Sequence, residues 1–430
     1  MALTGRAAVL ALLGLVPAVL WPSPATVRVV VLVVLLVLAL DVLLAASPTA
    51  VDLTRGPATQ VRLGESTATT LTVTNVGSRT AYGLLRDAWP PSAGVQPEQH
   101  QIAVTEGERI RVTTHLHPTR RGDRVADRVT VRLLGPLRVA GRQRSFVVSG
   151  AVRTLHPFPA RKHLPSRLAM LRQIDGRSAV RTRGQGTEFD SLRDYVDGDD
   201  VRSIDWRATA RRRHLVVRTW QPEQYRRIVI VLDTGRTSAG RIGDEPRLDA
   251  AMDAALLLTA LAGHARDRVQ VVAGDRTIRA RVTGTERARL LHDTISTLAP
   301  IDAQLVETDW ALLASTISTM GTHRALVVLL TPLEPAAIEE GLLPVLPALT
   351  ARHRVLLASV ADPAVEVLRV RRDTTAQVYA AAAAEHTLAR RQRTADALRQ
   401  LGVDVLEEPP TTLPPALADR YLALKRNGLL

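Results

Sequence analysis

The chain has 430 residues, no cysteine and a formal net charge of +14, from 56 Lys and Arg against 42 Asp and Glu. This length allows two or three domains with their own cores, and the lack of cysteine excludes disulfides, thiol catalysis and Cys-ligated zinc. The basic balance favours contact with phosphate, anionic lipid or an acidic partner.

Two apolar segments near the N-terminus, residues 7–21 and 27–46, predict membrane helices. The second is long enough to cross about 30 Å of hydrocarbon, and the prolines between the two segments predict a turn. We therefore expect a transmembrane helical hairpin over 1–48, with Asp41 at the interface. The flanking arginines favour a multi-pass protein of the cell membrane with its C-terminal domains in the cytoplasm. A cleaved signal peptide is the alternative for the first segment.

Residues 51–150 change character. Thr, Val, Leu and Ile alternate with polar residues, and turn residues recur about every ten positions. This period of two predicts a small β-sandwich of immunoglobulin-like architecture. Residues 151–227 follow as a basic connector.

Residues 182–223, here named the signature segment, concentrate glycines, charges of both signs and bulky side chains. Their spacing predicts a flexible turn, a short amphipathic helix over 189–196 and a strand over 214–218. The candidate residues for binding a partner are Gly184, Gly186, Glu188, Phe189, Arg193, Tyr195, Asp199, Asp200, Arg202, Asp205, Trp206 and Arg211.

Acidic and basic residues alternate densely in this segment, which favours an internal ionic network over a nucleic-acid surface. We expect this network to dock the segment onto the following domain. Its organising cluster is predicted to contain Asp199, Asp200, Arg202, Asp205 and Trp206, with Arg193 and Arg211 as counter-charges.

From residue 228 to 430, apolar strands alternate with amphipathic helices. Strands are predicted at 228–233, 269–274, 277–282, 325–331, 354–360 and 403–408, and helices near 247–265, 286–298, 309–319, 336–350, 376–401 and 414–427. This alternation predicts a mostly parallel, Rossmann-type sheet covered on both faces, with ligands at the carboxyl ends of its strands. The whole chain is thus expected to be a multi-domain protein: hairpin, β-sandwich and α/β domain.

The order G-x-G-x-E-F, L-R-x-Y and G-D-D-x-R-x-I-D-W in the signature segment resembles the signature of the domain of unknown function 58 family. Over roughly residues 150–430, the resemblance implies a fold similar to the von Willebrand factor A domain. It also implies partners, namely a MoxR-type AAA+ ATPase and a membrane-bound transglutaminase-like protein. Such systems are associated with chaperone-like assembly or maturation, often of envelope components.

In von Willebrand A domains, a strand ending in Asp-x-Ser-x-Ser helps to hold a divalent ion, together with a distant Thr and a distant Asp. Here the run after the strand is Asp233-Thr-Gly235-Arg-Thr237, and the first serine is replaced by glycine. Thr308 is the candidate distant threonine, and Thr331 stands where the resemblance would place the Asp. The implied Mg²⁺ site is therefore degenerate, with Asp233 and Thr237 as its candidate ligands.

Three functional hypotheses follow. The favoured one is a non-catalytic, membrane-anchored scaffold or adaptor that binds the AAA+ ATPase and no nucleic acid. The first alternative is a metal-dependent binding module. If no metal binds there, Asp233 is expected to cap a loop or to pair with Arg236 or Arg241. The second is a metal-dependent hydrolase that uses the carboxylates of the signature segment, namely Glu188, Asp199, Asp200 and Asp205.

Overall fold

A computed structural model describes residues 2–181, 188–196, 199–221, 226–284, 287–321 and 323–430. The chain divides into two compact units, Met1–Pro157 and Phe158–Leu430. The turn residues Gly184 and Gly186 of the signature segment lie outside the described residues.

The first unit begins with two apolar helices in contact with each other, α1 (Gly5–Leu20) and α2 (Pro24–Leu44). The Ser23 side chain caps α2 by accepting the N–H of Thr26 at 3.1 Å. The 21 residues of α2 extend about 31 Å, whereas the 16 of α1 extend about 24 Å, less than the hydrocarbon thickness. Among the described residues, one helix near the N-terminus is long and apolar enough to span a membrane, which confirms the expected apolar N-terminal helix. A hairpin that crosses twice stays a prediction.

The rest of this unit is β-structure. Its strands are β1 (Ala2–Leu3), β2 (Val51–Arg55), β3 (Thr59–Arg62), β4 (Thr67–Asn75), β5 (Ala81–Ala88), β6 (Val95–Gln96), β7 (Gln99–Val104), β8 (Arg109–Leu116), β9 (Gly122–Val125), β10 (Arg128–Leu134), β11 (Ala140–Phe146) and β12 (Ala151–Leu155).

Two antiparallel sheets of this unit enclose one apolar core. Their strand orders are β1-β11-β10-β5-β7 and β2-β4-β8-β6, and a small third sheet has the order β3-β12-β9. Every second residue of the long strands faces the core, as with Leu71 and Val73 of β4 and Val129 and Val131 of β10. The predicted period of two is therefore present, and the immunoglobulin-like identity stays a prediction.

Asp41, expected at the membrane interface, is fully buried against the turn between β10 and β11. Its carboxylate accepts the main-chain N–H groups of Leu137, Val139 and Ala140 at 2.8, 2.9 and 2.8 Å. These three hydrogen bonds satisfy the buried charge. They also join the C-terminal end of α2 directly to the sheet.

The second unit contains the signature segment and an α/β domain. Its strands are β13 (Glu188–Asp194), β14 (Val216–Gln221), β15 (Arg227–Asp233), β16 (Arg241–Ile242), β17 (Glu245–Pro246), β18 (Arg268–Gly274), β19 (Ile278–Gly284), β20 (Leu326–Leu330), β21 (Arg354–Val360) and β22 (Asp404–Glu408). Its helices are α3 (Leu164–Arg181), α4 (Trp206–Arg212), α5 (Arg247–His264), α6 (Arg287–Leu298), α7 (Trp310–Thr319), α8 (Pro335–Ala337), α9 (Leu346–Thr350), α10 (Pro363–Val370), α11 (Thr375–Gln400) and α12 (Leu413–Arg426).

Six strands form the central sheet, in the order β19-β18-β15-β20-β21-β22. All neighbours are parallel except β19, which is antiparallel to β18. The apolar strands are buried on both faces, as the sequence predicts for a mostly parallel sheet. The match to a von Willebrand A domain itself stays a prediction.

Two predicted elements differ from the structure, and a third element is additional. The prediction of a helix over 189–196 is wrong, because residues 189–194 belong to β13, which pairs with β14. The helix expected near 336–350 is interrupted by a π-turn at Ile338–Leu342, followed by Pro344, which lacks a helix N–H. The helix α10 was not predicted.

Candidate functional site

The first candidate site is the signature segment. Arg193 of β13 forms an ion pair with Asp199, and its two terminal nitrogens lie 2.7 and 2.6 Å from the carboxylate oxygens of Asp199. The N–H of Val196 also donates to Asp199 at 3.0 Å. These hydrogen bonds lower the pKa of Asp199, and the bond from Arg193 has the largest effect. Arg193 is therefore a counter-charge of the cluster, as predicted.

Asp205 is the second carboxylate engaged within the segment. Its Oδ1 accepts the N–H groups of Arg207 and Ala208 at 3.0 and 2.9 Å, which caps α4. Its Oδ2 accepts from Nε of Arg218 at 2.8 Å. The hydrogen bonds to Asp205 lower its pKa. The bond from the N–H of Ala208 has the largest effect, followed by that from Arg218. The counter-charge of Asp205 is thus Arg218, which β14 brings to that carboxylate and which was not predicted from the sequence. Arg211 is exposed, and its role as a counter-charge of the cluster stays a prediction.

The remaining predicted residues lie around this network. Asp200 accepts the N–H of Arg202 at 3.0 Å and begins a short 3₁₀ turn. Tyr195 is half-buried just beyond β13. Glu188 and Phe189 pair with β14, opposite Gln221 and Trp220.

Apolar side chains of the segment divide into an interior and an exposed set. Ile204 and Val217 are buried and bridge each other across the hairpin. By contrast, Trp206 at the start of α4 is 67% exposed, Val201 is 65% exposed and Val196 is 62% exposed. The ion pairs and caps described above all join residues of the segment itself. They form a scaffold that presents an exposed indole, and docking onto the following domain stays a prediction.

The second candidate site surrounds Asp233, which is buried at the carboxyl end of β15. Its Oδ1 accepts the hydroxyl of Thr308 at 2.5 Å and the N–H of Gly235 at 2.8 Å. Its Oδ2 accepts the hydroxyls of Thr331 at 2.7 Å and Thr237 at 3.2 Å. Three threonines from three separate parts of the chain thus converge on one carboxylate.

Two arginines were considered as partners of Asp233, and both pairings are wrong. Arg236 forms an ion pair with Glu307, and Arg241 donates to the carbonyl of Asp244. The interpretation of Asp233 as a loop cap is confirmed by its bond to the N–H of Gly235.

Gly235 stands where the resemblance expects a serine, and the structure gives a steric reason for glycine. A Cβ at this position would lie 2.1 Å from Oγ1 of Thr308, so a side chain would displace that hydroxyl. Thr331 was missed as a contributor to the site. Its role depends on β20 lying beside β15 in the sheet, which brings the ends of both strands together.

The Asp233 cluster lines a pocket of 240 Å³, whose wall also includes Glu307, Glu340 and Trp310. A threonine hydroxyl that donates its proton to Asp233 keeps lone pairs for a cation. One carboxylate with neutral oxygens and water is a ligand set that Mg²⁺ accepts, so the residues fit the implied ion. Among the described residues, no group of three or more His, Cys, Asp or Glu could hold a metal. A cation held by Asp233 would therefore take its other protein ligands from hydroxyl oxygens such as those of the three threonines.

Two kinds of relatives were found by sequence. Residues 191–397 match the family model described as "Protein of unknown function DUF58". The uncharacterised proteins Mb1516 of Mycobacterium bovis and Rv1480 of Mycobacterium tuberculosis are each 28% identical to this chain over 188 residues, which is 42% of this chain and 56% of theirs. The chain thus matches little more than half the length of these relatives.

Similarity to solved structures is low. A family 20 exo-β-N-acetylglucosaminidase of Vibrio harveyi aligns with 83% of this chain and 75% of its own, at 11% identity and a TM-score of 0.24. The CARDB domain of a Pyrococcus furiosus protein aligns with 25% of this chain and 99% of its own, at 19% identity and a TM-score of 0.17. Such scores carry no argument about fold or function. What the comparisons do show is a match to the DUF58 family model that begins within β13 and ends within α11. It covers residues 191–223 of the signature segment and the whole Asp233 cluster.

Proposed function

We propose that this protein is a membrane-anchored adaptor whose signature segment binds a protein partner. The proposed partner is an AAA+ ATPase of the MoxR type, in a chaperone-like assembly or envelope-related system. The length and apolarity of α2 support the anchor, and the resemblance of the signature segment to the DUF58 family supports the choice of ATPase.

The observation that carries the proposal is the exposure of Trp206 on an internally braced scaffold. A largely exposed indole leaves a large apolar area in water, and tryptophan and arginine are the residues most enriched at the energetic centres of interfaces. Arg207 and Arg211 lie one turn apart on α4, and both are exposed, as is Arg202. Their charge would complement an acidic rim on the partner.

The same network argues for a non-catalytic role of the signature carboxylates. A two-metal hydrolase needs carboxylates that face its cations. Asp199 is instead bound by the guanidinium of Arg193, and Asp205 by helix N–H groups and Arg218. A cation would have to displace these donors, so the adaptor hypothesis is favoured over the hydrolase.

A second candidate function is a divalent-cation-dependent binding module centred on Asp233. It is supported by the convergence of Thr237, Thr308 and Thr331 on that carboxylate at the carboxyl end of a parallel strand. In such a module, the ion would hold an acidic group of the partner in the pocket.

The adaptor is tested by crosslinking the full-length protein in its membrane and identifying captured proteins by mass spectrometry. We compare Trp206→Ala with Tyr379→Ala, a matched aromatic truncation at a site on α11 that is 75% exposed. The expected result is that the unmodified protein and Tyr379→Ala capture the ATPase, while Trp206→Ala captures about tenfold less.

The alternative outcomes are distinct. Equal capture by all three proteins would show that the signature segment is structural and that the partner binds elsewhere. Absence of a MoxR-type ATPase from all three samples would reject the partner itself.

A further inference from the structure

A pocket of 580 Å³ lies in the first unit, where α1 begins beside the outer face of the five-stranded sheet. Its charged lining residues are two arginines, Arg6 from the first turn of α1 and Arg138 from the turn between β10 and β11. Val9 and Leu134 add apolar side chains to the lining of the pocket, and Tyr82 contributes an aromatic ring. The pocket is therefore cationic and amphipathic.

Arg138 is held in place by several contacts. Its backbone adopts the left-handed conformation, with φ of 59°, and its guanidinium carbon lies 4.1 Å from the ring centroid of Tyr82. The hydroxyl of Thr4 donates to the carbonyl of Arg138 at 2.7 Å. Asp41, near the C-terminal end of α2, accepts three N–H groups from the same region of the chain. The position of Arg138 is therefore fixed relative to the start of α1 and to the end of α2.

Further arginines surround the point where α2 meets the sheet. Arg79 donates to the carbonyl of Leu43 at 2.7 Å, and Arg142 donates to that of Val42 at 3.0 Å. The acidic residue at this junction, Asp41, is buried and its charge is satisfied by N–H groups. The described junction therefore presents positive charge beside an apolar helix pair.

We propose that this pocket binds the phosphate of an anionic phospholipid headgroup, with Arg6 and Arg138 as its donors. Guanidinium groups bind phosphate oxygens in a bidentate manner, and basic residues at the end of a membrane helix lie at headgroup depth. The lipid's acyl chains would follow α1, whose Val9, Leu12 and Leu13 are exposed. The inference rests on the proposed membrane anchor.

The experiment uses the full-length protein in detergent micelles with equal amounts of phosphatidylglycerol and phosphatidylcholine of the same acyl chains. Bound lipids are counted by native mass spectrometry. The double variant Arg6→Gln/Arg138→Gln is compared with Arg86→Gln/Arg111→Gln, which removes the same charge from exposed positions elsewhere on the two sheets. Melting temperatures of the two variants establish that both are folded.

We expect the unmodified protein and the Arg86/Arg111 control to retain phosphatidylglycerol in preference to phosphatidylcholine. The Arg6/Arg138 variant should retain about tenfold less phosphatidylglycerol. Equal retention by all three proteins, or no preference for the anionic lipid, would overturn the proposal.

Inorganic phosphate distinguishes a lipid from a soluble ligand. If phosphate raises the melting temperature of the unmodified protein but not of the Arg6/Arg138 variant, and phosphatidylglycerol is not retained in preference to phosphatidylcholine, the ligand is a free anion and the lipid assignment is wrong. Preferential retention of phosphatidylglycerol by the unmodified protein, lost in the Arg6/Arg138 variant, supports the lipid.

Membrane fractionation and ATPase capture separate this proposal from the adaptor function. If lipid retention fails while the protein stays in the membrane fraction and captures the ATPase, only the lipid site is rejected. If the unmodified protein is absent from the membrane fraction, the anchor is rejected and the lipid site with it.

Discussion

Asp205 joins α4 to β14 through Arg218, with 2.8 Å between Oδ2 of the carboxylate and Nε of the guanidinium. The other oxygen of Asp205 caps the helix by accepting two N–H groups. A single carboxylate thus fixes both the start of the helix and the strand that follows it, and through them the position of Trp206.

Replacing Asp205 by Ala should fray α4. Loss of an N-cap costs about 1 kcal/mol, which corresponds to roughly a fivefold larger open population. Trypsin should therefore cleave about fivefold faster at Arg207 and Arg211, as followed by mass spectrometry of the products. Asp205→Asn keeps a capping oxygen and should show a smaller increase. Equal cleavage rates for all three proteins would contradict the role of the cap.

The Asp233 cluster predicts a response to Mg²⁺. At a concentration 100 times the dissociation constant, a bound ion adds about 2.7 kcal/mol of stability, so the melting temperature of the full-length protein should rise. Asp233→Ala should abolish this rise, and Thr331→Val should weaken it. Asp244→Asn, on an exposed loop, is the control and should respond like the unmodified protein. No shift in the unmodified protein would reject the ion site.

The C-terminal helix α12 is held by a buried ion pair. Nζ of Lys425 lies 3.3 Å from Oδ1 of Asp267, and the hydroxyl of Tyr421 donates to Oδ2 at 2.5 Å. Burial raises the pKa of Asp267, against the opposing effect of Lys425. Lys425→Met leaves a buried carboxylate without its cation and should destabilise the second unit by about 3–5 kcal/mol.

Lys425→Met/Asp267→Asn removes both charges and should recover much of that loss. Thermal unfolding followed by near-ultraviolet circular dichroism measures both variants. If the double variant is no more stable than Lys425→Met alone, desolvation of Asp267 is not the cause.

Asp253 on α5 predicts a pH-dependent stability. Both its oxygens accept the N–H of Ala160, at 3.2 and 3.1 Å, and burial raises its pKa to about 6. Because the folded chain holds the proton more tightly than the unfolded chain, the ionised carboxylate destabilises the fold fully above about pH 6. This destabilisation declines as the pH falls from 6 towards 4, the pKa of an unperturbed aspartate.

Asp253→Asn removes this charge. The variant should exceed the unmodified protein in stability by about 1–2 kcal/mol at pH 8, and the difference should vanish near pH 4. Thermal unfolding at several pH values checks this, with Asp244→Asn on an exposed loop as control. A stability difference that does not change with pH would contradict the raised pKa.

Much of the second unit could be predicted because its signals are local. The short, continuous apolar run at 228–233 predicts a buried strand whichever strands lie beside it, and β15 forms there. The signature segment was harder, because the spacing of Phe189, Leu192 and Tyr195 suits a helix while pairing with β14 makes a strand. Local spacing carries no information about such a partner.

The candidate site residues likewise divide into those with a local sequence signal and those that depend on strand pairing. Asp233 was found from its place at the end of a predicted strand, and Thr308 from the resemblance. Thr331 and Arg218 were missed as partners, because each reaches its carboxylate only through the order and register of neighbouring strands.

The contact between Asp41 and the turn before β11 has a consequence for evolution. A Cβ on Gly135 would lie 2.1 Å from the carbonyl oxygen of Asp41 and 2.3 Å from its Oδ1. Any side chain at position 135 would therefore push α2 away from the sheet. Positions 41 and 135 should covary among relatives that share this junction, so that a chain with a larger residue at 135 has also given up the aspartate at 41.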